Sequence, residues 1–579
     1  MNTANLENFS LLYSDPGVHE KDKAEVCFAK NPDLLPSLGL QNVFGADRRD
    51  ILRYVTCDVE TINYRADIFA DILKNKELYE IMKNAHEYLT DIYDVRVRAR
   101  NVHKEGVLED SFFVVNEIEL YIKCVNYLAE SSRQLKTPVK SKGFRDLFSC
   151  MTEIYESEEY RNLVKNIEFL DFRIKNIKSV TIGANVDHQL RITEAGVVSV
   201  NDQPFKSGSL MDMLLRMDMK KTEYTTIAPL TITNNRAVWW KNSFDTAFSH
   251  ARNSFKQSDS TTPSPAPPPP PTDKASSMKD KETEMFDHVF LKTLNGLYSS
   301  SIKKWRPIVN SFMRNNTNVL MKLAPEIKFI LRCADVMFDL QKTGAGLCKP
   351  ELFGREKKAF EIKGLYNASL ALSLDDAKKI VLNDMVFDEN GMIYILTGPN
   401  RGGKSVITCA VGIAQLFCQL GMLIPAESAK ISPADCIYTH FAGNYNTLDK
   451  GRLGEECERL NAILDELTEY SLVLLDETLS STGAFEGSYI AADVVSGLSL
   501  FGCRCIYSTH MHELAALVDE INASAKNKID TLVAGIEGGA RSFKIKREKP
   551  DGKSYAKDIA QKYGISFEKM RARAENAKY

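Results

Sequence analysis

The chain has 579 residues, with 74 Lys+Arg against 77 Asp+Glu and a formal net charge of −3. Apolar residues at 44% and charged residues at 26% are the balance of an ordinary folded protein, and length over ~150 gives about four domains. Disorder as the overall state and a uniformly basic nucleic-acid coat are excluded, while local basic faces are not. No apolar run reaches the roughly 18 residues of a membrane span. The start, Met1-Asn2-Thr3-Ala4-Asn5-Leu6-Glu7, has neither a basic n-region nor an apolar h-region, so a cytoplasmic protein with no membrane association is expected. The 12 cysteines are scattered without a CxxC pair, which fits reduced, buried thiols better than a structural zinc site.

The first half reads as helical. Val59, Ile62, Ile68, Phe69, Ile72, Leu73, Leu78, Ile81 and Met82 recur at spacings near three and four, the period of an amphipathic helix. The same rhythm covers Phe113 to Tyr127 and Phe144 to Phe172. Ser179-Val180-Thr181-Ile182-Gly183 and Leu190 to Val200 then alternate and are rich in β-branched residues, predicting strands of a small sheet inserted in a helical arm. Pro263, Pro265 and Pro267 to Pro271 sit in polar sequence that cannot bury a core, so residues 256–280 are expected to be a linker or long loop, or a docking site for a proline-reading domain. Helical periodicity returns from Phe286 to Phe338.

From Ile380 onward short apolar runs alternate with helices, the signature of a parallel α/β sheet. Met392 to Leu396 predicts a buried strand that runs into Gly398-Pro399-Asn400-Arg401-Gly402-Gly403-Lys404-Ser405. This is a complete G-x-x-x-x-G-K-[ST]. Its glycines let backbone N–H groups wrap phosphates, Lys404 supplies a charge at the β/γ oxygens, and Ser405 ligates magnesium. A second strand, Ser471 to Leu475, ends in Asp476-Glu477. There the Asp orders a magnesium shell and the Glu orients or deprotonates the attacking water. A third strand, Cys503 to Tyr507, delivers Ser508-Thr509-His510 to the same edge, where His510 can sense the γ-phosphate. His510-Met511-His512-Glu513 also has the residue types of a metal site, but no further ligand cluster is near it in sequence.

Thr397-Gly398-Pro399-Asn400-Arg401-Gly402-Gly403-Lys404-Ser405 resembles the TGPNxGGKS element of the MutS family. Asn383-Asp384 is similar to that family's adenine-side element, Ile424 to Ala429 to its VPAESA stretch, Thr509 to Leu514 to its THxxEL, and Ser554 to Ala560 to its SYGIxVA segment. The resemblance implies an α-helical core and lever arm with a small inserted β clamp, followed by an α/β P-loop (ABC-type) ATPase domain. On this pattern residues 1–110 are the first part of the core and 111–255 the lever helices, with a clamp-like insert at about 176–206. Residues 281–355 are returning core helices, and 356–579 the ATPase domain with a helical tail. It further implies ATP and Mg2+ as ligands, DNA as partner and a homodimer: an ATP-driven clamp acting in mismatch repair or on branched DNA. The alternative is a nucleotide-gated, protein- or ribosome-associated switch that uses the same engine without DNA.

Three departures from the family pattern stand out. The helical core begins by about residue 31, so no mismatch-reading domain with a Phe-x-Glu wedge is expected; the one such triplet, Phe387-Asp388-Glu389, lies just before the P-loop strand. The family's STFxxEM signature loop reads Gly451-Arg452-Leu453-Gly454-Glu455-Glu456-Cys457, which makes Gly451 and Arg452 the residues that would reach a partner subunit's site. The DExGRGTSxxDG segment reads Asp476 to Gly487 as DETLSSTGAFEG. Candidate DNA contacts are Arg173, Lys175 and Lys178 before the inserted strands, and the cluster Arg96, Arg98, Arg100 and Lys104.

Overall fold

The computed structural model describes residues 9–15, 17, 31, 33–44, 48–104, 111–174, 178–189, 192–201, 226–229, 316–374, 379–441, 451–537, 540–550, 565 and 567–576. The Pro-rich segment at 256–280, Lys175 and the SYGIxVA-like stretch lie outside them. The chain divides into two compact units, one containing Glu87–Glu130 and Met151–Met321, the other Ala4–His86, Ser131–Cys150 and Lys322–Tyr579.

The helical part consists of α1 (Val59–Lys74), α2 (Lys76–Lys104), α3 (Ser111–Gln134), α4 (Lys142–Glu156) and α5 (Glu158–Ile174). Asp58 opens α1 by accepting the Thr61 amide at 2.8 Å, satisfying a donor that the first helical turn leaves free. Asn75 takes an extended conformation and separates α1 from α2, breaking a periodicity that reads as continuous. In the first unit α2 and α3 are joined by Arg96, whose Nε donates to buried Glu117 at 2.8 Å; this arginine of the proposed DNA-contact cluster is half-buried and ion-paired. Next come β1 (Ser179–Val186), β2 (Ile192–Asn201) and β3 (Thr226–Pro229), an antiparallel sheet in that order.

In the second unit α6 (Asn316–Lys342) packs its apolar face on α1 through Phe329 and Phe69. A four-stranded sheet of order β4-β8-β5-β6 follows, made of β4 (Glu351–Leu352), β5 (Phe360–Leu365), β6 (Asn383–Phe387) and β8 (Ser428–Ile431). Phe387 is buried against Phe360 and Tyr394. The Phe387-Asp388-Glu389 triplet is therefore core and turn, with no ring free to stack on a base. The six-stranded sheet has the order β13-β12-β7-β11-β10-β9. Its strands are β7 (Ile393–Thr397), β9 (Ile437–Phe441), β10 (Leu472–Asp476), β11 (Arg504–Ser508), β12 (Ile529–Glu537) and β13 (Ala540–Arg547). β9, β10, β11, β7 and β12 are mutually parallel and only β13 runs antiparallel. The parallel strands β7, β9, β10 and β11 are buried on both faces, as helix crossovers require, whereas β13 at the edge is largely exposed. The principal helices around it are α8 (Lys404–Leu420), α9 (Arg452–Glu466) and α10 (Ala484–Phe501), with short α7 (Ala368–Ser373) nearby.

α8 is apolar nearly all round and its buried glutamines satisfy the segment leading into α1. Gln419 donates to Ala434 O at 2.8 Å and Thr56 O at 3.2 Å, and Gln415 donates to Gln419 at 2.9 Å. Gly421 ends α8 at φ +78°, where a Cβ would lie 2.3 Å from that of Arg65. Arg65 is itself buried, its Nε donating to Leu12 O at 2.8 Å. No helix among the described residues is long and apolar enough to cross a membrane. The described cysteines are free thiols, most of them wholly or partly buried.

Candidate active site

The carboxyl ends of β7, β10 and β11 lie side by side, with Asp476 opposite Ser508 and Ser508 opposite Leu396. In open α/β sheets ligands bind at this edge. The Gly398–Ser405 motif and the Asp476-Glu477 pair lie there. β7 leads into residues 398–403, whose backbone doubles back so that Gly402 N–H donates to Pro399 O at 3.0 Å. Gly398 has φ +135° and a Cβ there would sit 2.8 Å from the Ala534 Cβ; Gly403 has φ +94°. Only glycine meets both conditions without strain.

Lys404 begins α8 and is 5% exposed. Its Nζ donates to the loop's own carbonyls, Gly398 O at 3.1 Å and Pro399 O at 3.3 Å. Burial lowers the Lys404 pKa from its ordinary value, and the Glu477 and Asp476 carboxylates oppose that fall. The two motifs are thus within electrostatic reach of one another. Lys404, Ser405, Arg401, Gly402, Gly403, Asn383 and Glu477 line one cavity of about 420 Å³. Its lining also includes the apolar residues Leu365, Leu370, Leu374, Ile380, Val381 and Phe543. A cavity that combines charged groups with a largely apolar lining suits a nucleotide.

The residues expected at this site are distributed as follows. Asn383 lines the cavity and holds β13, its Oδ1 accepting Ile545 N–H at 2.8 Å and its Nδ2 donating to Phe543 O at 3.2 Å. Asn400 and Arg401 are exposed, Arg401 at φ +59°. His510 follows β11, is exposed, and does not line the cavity. Gly451 flanks the start of α9 at φ +70° with open space around a Cβ, and Arg452 is the exposed first residue of that helix. Arg173 lies in the last turn of α5 and Lys178 is exposed one residue before β1.

Asp476 Oδ1 is buried with no hydrogen-bond partner among the described residues, and so are Ser508 Oγ on the adjacent β11 and Thr397 Oγ1 on β7, the next strand over. Buried polar atoms are normally satisfied. An unsatisfied carboxylate oxygen at this sheet edge, within electrostatic reach of Lys404, is what a hydrated cation would complete, so the residues fit magnesium.

Two features had no local signal. Phe543 reads as one position of an alternating strand, yet it sits at φ +56°, 44% exposed, over Gly403. The turn after β10 has Glu477 at φ +52° and Leu479 at φ +63°, a conformation that costs side-chain-bearing residues about 1–2 kcal/mol each. It is held by Glu477 N–H to Ser508 O at 2.8 Å, Tyr507 OH to Thr478 O at 2.9 Å, and Leu479 N–H to the buried Glu456 at 2.6 Å. His440 Nδ1 meets Thr478 Oγ1 at 3.0 Å.

Two family models match the chain: MutS domain V over residues 394–577 and the MutS2 N-terminal domain over residues 57–343. The chain belongs to the MutS family. The MutS domain V match takes in the P-loop, the Asp476-Glu477 pair and the strand ends that carry the cavity. Relatives described as DNA mismatch repair protein MutS include one from Prochlorococcus marinus (strain MIT 9312), 35% identical over 193 residues, which is 33% of this chain and 21% of the relative. One from Anaeromyxobacter sp. (strain Fw109-5) is 31% identical over 250 residues, 41% of this chain and 28% of the relative. DNA mismatch repair protein MutS 1 of Haloarcula marismortui is 31% identical over 199 residues, 33% of this chain and 22% of the relative. In each case the matched stretch spans less than a third of the curated relative's length.

Proposed function

We propose that this MutS-family chain is a magnesium-dependent ATPase that works as a dimeric clamp on DNA. The observation that carries the ATPase reading is the convergence of Lys404, Ser405 and Glu477 on one cavity, with the unsatisfied Asp476 oxygen at the same sheet edge. Binding of a triphosphate would draw Lys404 from the two loop carbonyls it now caps onto charged oxygens, a stronger pairing. The backbone N–H groups of residues 398–403 would hold the remaining phosphate oxygens. Magnesium, held by Ser405 and Asp476, would supply charge neutralisation at the phosphates. Glu477 would orient the attacking water and take its proton, with His510 reporting the γ-phosphate. Asn383, Ile380 and Phe543 would flank the base.

The DNA reading rests on the names of the relatives and on the basic residues Arg173, Lys175 and Lys178, which precede the small sheet's first strand in sequence. Phosphate neutralisation makes affinity fall steeply with salt. Binding should therefore be measured to homoduplex, G·T mismatch and four-way junction between 50 and 200 mM salt. A steep salt slope on at least one DNA is expected, weakened by combined Arg173→Ala, Lys175→Ala and Lys178→Ala substitution. No DNA binding at 50 mM salt would refute the DNA reading and favour the switch without DNA. A preference for the G·T duplex over homoduplex of tenfold or more would refute the expectation that mismatches are not read by a wedge.

A further inference from the structure

The turn that carries Glu477 is held from outside by three elements. β11 holds it through Ser508 O and Tyr507 OH, β9 through His440, and α9 through Glu456. The contact from α9 differs from the others. Glu456 is 5% exposed and Oε2 accepts the Leu479 amide at 2.6 Å, while Leu479 itself is fully buried at φ +63°. Burying a carboxylate is costly unless its hydrogen bond is needed. Here the bond satisfies an amide in a backbone conformation that leucine disfavours.

The turn is also short. Ser480 N–H closes back on Glu477 O at 3.3 Å, so Leu479 and Glu477 belong to one hydrogen-bonded turn. At the other end, Glu456 lies about one helical turn beyond Gly451 and Arg452, the exposed start of α9. Anything that displaces this start displaces Glu456 with it.

We propose that Glu456 is a positioning residue for hydrolysis: by holding the Leu479 amide it sets where the turn presents Glu477, and it makes that setting follow the position of α9. The inference rests on the ATPase reading of the same site. It gives the cavity a second input: contact at the exposed Gly451-Arg452 end would reach the hydrolytic carboxylate through one helix and one hydrogen bond. Glu456 is not among the residues that line the cavity, so its effect belongs on turnover and not on nucleotide affinity.

The test compares Glu456→Met, which keeps volume but removes the acceptor, with Glu456→Gln, whose amide oxygen still accepts from Leu479. Both are measured in the full chain for kcat and KM with Mg-ATP, and for hydrogen exchange of the peptide covering residues 476–482. The methionine variant should lose tenfold or more in kcat with KM within twofold, and exchange in that peptide should speed up while peptides of α8 stay unchanged. The glutamine variant should remain within threefold of wild type in kcat and exchange. Glu456→Ala stands in if the methionine chain does not fold. A kcat within twofold of wild type in the methionine variant, failure of glutamine to rescue, or unchanged exchange at 476–482 would each overturn the proposal. Absence of turnover in the wild-type chain would instead refute the ATPase reading, and the exchange comparison would still decide whether Glu456 holds the turn.

Discussion

Replacing Glu477 by glycine separates chemistry from folding at one residue. The Glu477 backbone lies at φ +52°, a region that costs an L-residue about 1–2 kcal/mol and glycine almost nothing. Glycine adds roughly 0.5–1 kcal/mol of unfolded-state entropy, leaving a net stabilisation between about zero and 1.5 kcal/mol. In urea that shifts the midpoint upward by at most roughly 0.5 M for a slope near 3 kcal/mol/M. Turnover should nevertheless fall by about a hundredfold or more, because the water loses its base. Nucleotide affinity should be kept or strengthened, since the carboxylate that faces Lys404 is gone. Leu479→Gly is the control: its backbone is equally left-handed, but its side chain is fully buried, and losing that burial costs about 2–5 kcal/mol. Urea titration and phosphate release on the same preparations decide the matter. Destabilisation of Glu477→Gly, or wild-type turnover by it, would refute the reasoning.

Gly421→Ala should cost about 2–4 kcal/mol, because a Cβ there would meet Arg65 at 2.3 Å on a φ of +78°; a midpoint equal to wild type in urea would contradict the packing of α8 on α1. Burial first, then the Arg459 charge, lowers the His440 pKa to about 4, so the folded protein binds fewer protons than the unfolded chain below pH 6.5. The stability this contributes is complete above pH 6.5 and is lost as pH falls toward 4, on the order of 3 kcal/mol. Urea midpoints of His440→Asn should fall less over that window, and an identical pH dependence would remove His440 as the source. For Arg452, the trans reading expects Arg452→Ala to slow hydrolysis strongly with nucleotide affinity nearly intact, and mixing with Lys404→Ala chains to restore one working site. Wild-type turnover by Arg452→Ala at saturating protein concentration would make Arg452 a plain surface residue.

The sequence shows the elements around this site more clearly than the contacts among them. The strands read as Met392–Leu396, Ser471–Leu475 and Cys503–Tyr507 are each displaced by one residue, to Ile393–Thr397, Leu472–Asp476 and Arg504–Ser508. Hydropathy ends at the last apolar residue, whereas the parallel ladder continues through Thr397, Asp476 and Ser508. The break at Asn75 is invisible because apolar residues keep their spacing on both sides of it. Residues 398–405 and the pair Asp476-Glu477 are legible because each packs its chemistry into one short run. Phe543 and Glu456 are not, since their relevance comes from contacts made over more than twenty residues of chain. Arg96 carries a contact that its sequence neighbourhood does not show: it reads as one of a basic cluster, and in the fold it also donates to Glu117, twenty-one residues on.

Phosphate release from ATP by the purified chain, with magnesium and then with excess EDTA, beside Lys404→Ala on the same fold, tests the site most directly. The wild-type chain should turn over ATP only with magnesium, and Lys404→Ala should neither bind nor hydrolyse it, because the cation buried at the phosphate loop is removed. Failure of the wild-type chain to bind ATP, or hydrolysis that survives Lys404→Ala, would contradict the account.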